Sequence, residues 1–529
     1  MKDEIGLPDL DSLSSADLMG KTIFIRCDFN VPVEVTRNNY YRVADDTRIR
    51  RFLDLTFKKI HELTDGNCRL IIGSHLGRPH KDKDHSRWDG IFNMQFVCTH
   101  FDTLIRKLYG DLYTIFPPEI IDSHLKNSLD ICSNQRMPLG GIKFLPNLRY
   151  LLDPENPDAY RKEFIEELAR IADVFINCAF GCSHRLTKSI KMLPQIMRQQ
   201  GKLALAGVLL CEEIKYLNLF GKRILANPKK AILIAGGSKI ADKIGILKQF
   251  VLSQIKLIFI GGKMANAFLL AQMLKDKIES LKIQDIPSSL LENSEEKNKA
   301  LLEEIRLADE IIALAAERNV SILFPEDYKI VREYKDPGFS IKTMPDFANE
   351  LQLDLGPRTI SGFSKNLLDG VENIFWNGPL GAYDHPSCSS YGEGSMELAK
   401  LLFAAALEND RISVVIGGGD SAAILNKFNI TEMKVLLRKQ IEKLLPATIN
   451  KSLLAIDFND TDTYILFNYF ASNFFVSTGG GAALEFLEGY LKDKGQSIAS
   501  SYLPGTNTLM ELSSDVEFKS ERVSKVSAV

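Results

Sequence analysis

The sequence predicts an α/β protein made of two doubly wound parallel-sheet domains, and three observations carry that expectation. Short β-branched and aliphatic runs recur along the chain, each ending in glycine or polar residues. The runs are continuously apolar and do not alternate, as expected of strands buried on both faces of a parallel sheet. Helical periodicities fill the intervals, so strand, loop and helix repeat on the scale of α/β units. The 529 residues are enough for two large cores, since α/β domains often exceed the common size of ~150 residues.

In the first half the expected strands are Thr22–Cys27, Arg69–Ser74 and Val174–Asn177. In the second they are Lys230–Ala235, Lys256–Gly261, Ser321–Phe324, Ile374–Asn377, Ile412–Ile416 and Phe474–Ser477. After Asp45 and Asp46, the residues Ile49, Phe52, Leu53 and Ile60 recur at helical spacing behind an acidic start. Ala206 to Phe220 reads as a helix ended by Gly221-Lys222-Arg223, with Asn227-Pro228-Lys229-Lys230 as the turn into the next strand. The expected division is a first domain 1–205, a linking helix and turn 206–229, a second domain 230–500 and a C-terminal segment 501–529. Two stretches read as additions. Ile430 to Asn473 contains an amphipathic part, Met433 to Leu445, stopped by Pro446, and Glu511 to Val529 is a polar tail.

Apolar residues at 45% and charged residues at 25% are the balance of a folded globular protein. A net charge of −3, from 65 basic and 68 acidic residues, argues against nucleic acid or an acidic membrane as partner. No apolar run reaches the ~18 residues of a membrane span. Eight cysteines are too sparse for a disulfide scaffold and read as reduced thiols. Cys178, Cys182 and His184 lack the spacing of a zinc motif. The expectation is a soluble cytoplasmic protein.

Ligands of open α/β sheets bind beyond the carboxyl ends of the strands, and the unusual residues of this chain fall there. Three glycine-rich segments follow expected strands: Gly236-Gly237-Ser238-Lys239, Gly417-Gly418-Gly419-Asp420-Ser421 and Ser477-Thr478-Gly479-Gly480-Gly481. Glycine lets the backbone approach a ligand, and a helix start behind it offers free N–H groups to phosphate. One such loop meets the ordinary needs of a tight turn, whereas three in one chain point to a phosphate site. There is no Walker A loop and no G-x-G-x-x-G, so P-loop nucleotide binding and an NAD-linked dehydrogenase are disfavoured.

The first half offers a different set. Asp28, Asn30 and Pro32 follow the first strand, Arg48 lies on a helix, and Ser74 to Pro79 brings His75 and Arg78. Asn147-Leu148-Arg149, Ala179-Phe180-Gly181 and His184-Arg185 come later. Singly, each arginine reads as a surface charge and each histidine as a structural residue. Together, four arginines and two histidines at strand ends can form a basic bowl for a small multi-anionic ligand.

These motifs resemble those of the phosphoglycerate kinase family. The resemblance rests on Arg26-Cys27-Asp28-Phe29-Asn30-Val31-Pro32, Asp45 to Arg50, Ser74 to Pro79, Asn147 to Arg149 and Ala179 to Arg185. Gly236 to Lys243, Trp376-Asn377-Gly378-Pro379, Gly417 to Ala422 and Val476 to Glu485 continue it in the family's order, from about Thr22 to Leu509. The family's fold is two Rossmann-like domains joined by a helix, which bend about a hinge. Its reaction moves a phosphoryl group between 1,3-bisphosphoglycerate and Mg-ADP, giving 3-phosphoglycerate and Mg-ATP. The resemblance implies that Asp28, Asn30, Arg48, His75, Arg78, Arg149 and Arg185 contact phosphoglycerate. It implies that Gly236, Gly237, Lys239, Lys243, Gly261, Gly262, Asn377, Asp384, Gly417, Gly418, Gly419, Asp420 and Ser421 contact the nucleotide. Arg48, Lys239, Lys243, Gly418 and Gly419 would serve the transfer itself, Asp420 would face Mg2+, and the enzyme would act as a monomer.

The departures cluster on the base side of the nucleotide site. Lys263 stands where the family has a third glycine, Gln352 replaces a glycine ahead of Asp354-Leu355-Gly356-Pro357, and Asp384 replaces a glutamate. Elsewhere Pro146, Cys178 and Thr187 replace an acid, an aspartate and a second histidine. Lys263 and Gln352 motivate the alternative of a non-catalytic descendant that binds phosphoglycerate or a protein partner. Arg48, Lys239, Lys243 and Asp420 favour the active enzyme.

Overall fold

A computed structural model of the chain describes residues 5–36, 40–79, 90–119, 129, 137–152, 160–291, 294–336, 338–343, 350–385, 388–418, 421, 435 and 473–512. The chain forms two compact units, Met1–Lys215 with Gln496–Val529, and Tyr216–Gly495.

The first unit is built on β1 (Thr22–Arg26), β4 (Arg69–Gly73), β5 (Thr114–Phe116), β6 (Gly141–Phe144), β7 (Val174–Asn177) and β8 (Leu203–Ala206), with a small hairpin of β2 (Val33–Val35) and β3 (Tyr41–Val43). The six-stranded sheet has the order β5-β6-β4-β1-β7-β8, and every pair in it is parallel. β1 is buried throughout, as its apolar run requires. Phe29, Phe52, Phe101 and Phe144 pack one against another on one face of the sheet. Because all six strands run the same way, their carboxyl ends share one edge, and the polar loops are collected there.

The second unit repeats the plan with β9 (Ala231–Ala235), β10 (Leu257–Ile260), β11 (Ser321–Leu323), β15 (Asn373–Asn377), β16 (Ser413–Gly417) and β17 (Phe474–Ser477). Their order is β11-β10-β9-β15-β16-β17, again parallel throughout. A separate antiparallel sheet joins β12 (Tyr328–Val331), β13 (Ser340–Lys342) and β14 (Leu351–Leu355).

Several features depart from the sequence reading. The helix expected to stop at Gly221 runs on, from Val208 to Ala226. A Cβ at Gly221 would lie 2.5 Å from the ring of Tyr490, so this glycine serves close packing and not termination. β6 escaped notice because Lys143 interrupts its apolar run. That ammonium is buried, donating to the Pro117 carbonyl at 2.9 Å and to Glu119 at 3.1 Å. β8, Leu-Ala-Leu-Ala, has no β-branched residue to mark it. The helix that begins Thr47–Phe52 passes through a π turn, Leu53–Phe57, before Lys58–Thr64. The π turn presents Thr56, whose Oγ1 accepts from the Leu209 N–H at 3.3 Å, at the start of the Val208–Ala226 helix.

The end of the chain packs on the first unit. The Gly505 N–H donates to the Ser183 carbonyl at 2.8 Å, Arg198 donates to the Leu512 carbonyl at 2.9 Å, and Leu503 and Leu509 are buried. Residues 513–529 of the polar tail lie outside the described residues.

So does the insertion 430–473, apart from Val435 and Asn473. Asn473 donates to the carbonyls of Ala406 at 2.9 Å and Ile412 at 2.5 Å, pinning the entry to β17. Val435 lines an apolar groove of about 480 Å³ with Ile360, Phe363, Leu401 and Ala404. These four residues belong to the surface helices Pro357–Asn366 and Glu393–Glu408. Replacing residues between Glu432 and Ser472 by a short flexible linker should leave soluble protein with a cooperative thermal transition, because the groove lies outside the sheet. Complete loss of soluble protein would show instead that the segment completes the core.

Candidate active site

The carboxyl edge of the first sheet gathers the charged residues expected there. Asp28 follows β1, and its Oδ2 lies 2.6 Å from Arg48 Nη1. Arg48 sits at the start of the Thr47–Phe52 helix, one of whose first N–H groups, that of Thr47, donates to Asp45 at 2.9 Å. His75 follows β4, with Nδ1 4.0 Å from Asp28 Oδ1. Burial pushes the Asp28 carboxyl up, but Arg48, His75 and Arg26 more than offset it, so the group stays below the ordinary carboxylate range. Burial holds His75 well below its ordinary value, and Arg26, Arg149 and Arg48 add to that against the pull of Asp28. The ring is therefore neutral at pH 7.

Hydrogen bonds fix the loops that carry these groups. The Gly77 N–H donates to Asn30 Oδ1 at 2.7 Å, and the Phe29 N–H donates to Ser74 Oγ at 2.8 Å. Asn147 donates to the Leu76 carbonyl at 2.7 Å and accepts from the Arg149 N–H at 3.1 Å. Arg149 itself donates to the Gly77 carbonyl. Burial lowers the Arg149 pKa, and the nearby charges of Arg185, Arg78 and Arg26 add to the effect. Like charges gathered in this way favour an anion among them. Arg78 and Arg185 are exposed at the rim, and burial, followed by Arg185, drives His184 down to about 4.

Arg26 is the member that sequence reasoning missed. It is the last residue of β1 and is buried, donating from Nε to Ser189 Oγ at 3.2 Å and from Nη1 to the Cys27 carbonyl. A lone cation closing an apolar strand at its ligand-binding end was the available signal. Cys182, read as a bland thiol, sits beside it, with Sγ 3.6 Å from Arg26 Nη2 and 3.6 Å from His75 Nδ1.

In the second unit four strand ends form a cradle of backbone. The Gly236 N–H donates to the Asn377 carbonyl at 2.9 Å, and the Gly237 N–H to the Pro379 carbonyl at 2.7 Å. The Gly262 N–H donates to the Leu380 carbonyl at 3.1 Å, next to Gly261, which is tied to Ala235. Asn377 donates to the Gly417 carbonyl at 2.8 Å, and Ser421 Oγ accepts from the Gly378 N–H at 2.8 Å. Gly378 needs its left-handed φ of +91°, and a Cβ there would meet the Gly236 carbonyl at 2.4 Å.

The cations stand around this cradle. Lys243 Nζ lies 3.4 Å from where a Gly237 Cβ would be, and Lys239 is exposed on the same loop. A turn separates Gly237 from the helix Ile244–Leu252, so Lys243 and not a glycine occupies its N-cap. The third loop does run straight into a helix, Gly481–Lys492, behind Gly480 at φ +54°. Gly418 has φ +106°, whereas Gly419 and Asp420 lie outside the described residues. Glu304 was not anticipated. Burial raises its carboxyl, against the Ile240 N–H and the charges of Lys239 and Lys263. Gln352 donates to the Gly262 carbonyl at 3.1 Å and to Asn266 Oδ1 at 2.5 Å, and Asp384 is exposed.

Known proteins are similar to this chain over most of its length. The family model described as phosphoglycerate kinase matches residues 13–490. A phosphoglycerate kinase of Gloeobacter violaceus is 30% identical over 485 residues, 91% of this chain and 96% of that protein. One from Dictyoglomus turgidum is 30% identical over 479 residues, 90% of this chain and 95% of its own. The structure of phosphoglycerate kinase from Coxiella burnetii matches 96% of this chain and all of its own, at 26% identity and a TM-score of 0.57. That from Pyrococcus horikoshii shares the fold at a TM-score of 0.61, with 20% identity, covering 94% and 98% of the two chains. With two parallel six-stranded sheets, a basic bowl on one and a glycine cradle on the other, the chain belongs to the phosphoglycerate kinase family, a family of phosphotransferases.

Proposed function

We propose that the chain catalyses the reversible transfer of a phosphoryl group between 1,3-bisphosphoglycerate and Mg-ADP, giving 3-phosphoglycerate and Mg-ATP. The observation that carries this reading is the bowl in which Arg26, Arg48, Arg78, Arg149 and Arg185 surround Asp28 and neutral His75. Phosphate and carboxylate groups of phosphoglycerate match guanidinium donors in charge and geometry. The accepting carboxylate is already ionised at pH 7 and needs no general base, which suits a bowl whose histidines are neutral. Catalysis then consists of holding the reactants and neutralising charge on the migrating group. In this reading Arg48, Lys239, Lys243 and the loop N–H groups of Gly418 and Gly419 supply that neutralisation. Gly236, Gly237, Gly261, Gly262, Asn377, Gly417 and Ser421 seat the nucleotide, with Asp384 near its ribose.

Mg2+ belongs with the nucleotide phosphates. The polar side chains described at these strand ends, Asn377, Ser421 and Lys243, carry no carboxylate. The resemblance implies Asp420, outside the described residues, as the carboxylate for Mg2+, which would screen phosphate charge when bound. We further read the enzyme as a cytoplasmic monomer that uses neither nucleic acid nor a membrane. The near-neutral charge balance supports this reading, and no helix among the described residues is long and apolar enough to cross a membrane. A coupled assay with 3-phosphoglycerate, Mg2+ and ATP tests the function. Turnover that requires all three supports it, and its absence in folded protein would end it.

The nucleotide base is the place where this chain should differ. Gln352 spends its amide on Gly262 and Asn266 and stands, with Lys263, where the family has glycine to make room for adenine. Adenine should therefore bind more weakly than a glycine-lined pocket allows, with relaxed discrimination against guanine. Titrating ADP, GDP and IDP checks this. A strong preference for ADP at ordinary kinase affinity would show that Lys263 and Gln352 stay clear of the base.

A further inference from the structure

The floor of the bowl holds three side chains whose ligand atoms converge from three strand ends. Asp28, His75 and Cys182 each offer one such atom, all within 4.8 Å of one another. Cys182 Sγ lies 3.6 Å from His75 Nδ1, and Asp28 Oδ1 lies 4.0 Å from the same nitrogen. In a tetrahedral zinc site, with Zn–S about 2.3 Å and Zn–N or Zn–O about 2.0–2.1 Å, neighbouring ligand atoms stand roughly 3.3–3.6 Å apart. Both edges at His75 already lie within about 1 Å of that spacing. All three side chains are nearly buried, at 9% exposure for Asp28, 6% for His75 and 8% for Cys182. The neutral ring presents a lone pair at Nδ1 when its proton is on Nε2.

We propose that Asp28, His75 and Cys182 bind a thiophilic divalent cation of the Zn2+ class, and that this cation excludes phosphoglycerate from the bowl. A sulfur, a nitrogen and a carboxylate oxygen suit zinc or cadmium, whereas Mg2+ takes oxygen ligands. Burial raises the free Cys182 thiol, but a bound metal displaces a thiol proton outright. The S–H bond breaks as the S–metal bond forms, and the proton passes to solvent. The carboxylate and thiolate together balance the two charges of the ion. Arg26, Arg48 and Arg149 oppose any cation by charge, which selects ions with strong thiolate bonds over hard ones. The exclusion rests on the phosphoglycerate reading above, while the metal site rests on the trio alone.

Titrating Cd2+ alone into the full-length, chelator-treated protein tests the site through the ultraviolet thiolate-to-cadmium charge-transfer band. The expected result is a saturable band with release of one proton, abolished in Cys182→Ser and suppressed by saturating 3-phosphoglycerate. Loss of a direct ligand should weaken binding by more than the ~10–100-fold that an outer-shell partner costs. In steady-state assays Zn2+ should raise KM for 3-phosphoglycerate in the native protein and have far less effect on the variant. A band that persists in Cys182→Ser, or no band at all, overturns the site. A band that 3-phosphoglycerate leaves unchanged overturns the exclusion. Thermal unfolding verifies that the variant is folded, and Cys182→Ala serves in its place if it is not. An intact Cd2+ site in a protein without phosphoglycerate turnover would support the metal proposal and reject the kinase reading separately.

Discussion

Arg48→Ala and Lys239→Ala should each lower kcat by roughly 10²–10³-fold while changing KM for either substrate far less. A charge that counts most where negative charge is redistributed stabilises the transition state more than the bound substrate. Arg48 is poised for that role, with 20% of its side chain exposed and Nη1 2.6 Å from Asp28. Its truncation also removes the largest opposing influence on the buried Asp28 carboxyl. Asp28 should then titrate higher, so thermal unfolding must accompany the kinetics. Arg48→Lys keeps the charge and loses the fork, which separates neutralisation from geometry. Lys239 is exposed, but its charge opposes burial of the Glu304 carboxyl, so the same control applies. Unchanged turnover in either folded alanine variant removes that residue from the transfer step.

Gly236→Ala should weaken ADP binding at least tenfold, the loss from a clash of about 1.4 kcal/mol or more, and leave 3-phosphoglycerate binding unchanged. The added Cβ would lie 2.3 Å from the Pro379 carbonyl oxygen and 2.7 Å from that of Gly378. Both are backbone atoms, so no side chain can turn away to make room. Overpacking of this kind typically costs about 1–3 kcal/mol, and the strain falls on the turn that Ser421 and Asn377 hold in place. Calorimetric titration of the two ligands into the one variant reads both halves of the prediction. Wild-type affinity for ADP would mean that the cradle does not seat the nucleotide.

The sheets were legible because strands buried on both faces are continuously apolar between their ends, as β1, β7 and β9 are. Legibility failed where a buried polar group or a small residue did structural work. Lys143 inside β6 is stable only because Glu119 and a carbonyl meet it, and no local pattern announces such partners. Gly221 carries a helix-stop signal in a helix that continues, because the reason for glycine there is the ring of Tyr490, far along the chain. The antiparallel sheet of β12, β13 and β14 is short, and exposed residues occupy all of β13, so hydropathy does not mark it.

The bowl shows the same division. Asp28 and His75 were found from their places after recognised strands, and Arg149, behind the unrecognised β6, from the Asn147-Leu148-Arg149 motif. Arg26 was hidden because it belongs to the strand itself, and the nearness of Cys182 to His75 bridges 107 positions of sequence. Sequence spacing tied Cys182 to Cys178 and His184 instead. Burial strengthens an electrostatic contact wherever folding creates it, and only the fold says which contacts those are.

The central claim is that the chain moves the terminal phosphoryl of ATP onto the carboxylate of 3-phosphoglycerate. Phosphorus NMR of the full-length protein with Mg2+, ATP and 3-phosphoglycerate observes that transfer directly. The account predicts an acyl-phosphate resonance and ADP growing together at the expense of ATP, only when 3-phosphoglycerate is present, and growing roughly 10²–10³-fold more slowly with Lys239→Ala. Inorganic phosphate as the sole product, or ATP left intact while both substrates are bound, would contradict it.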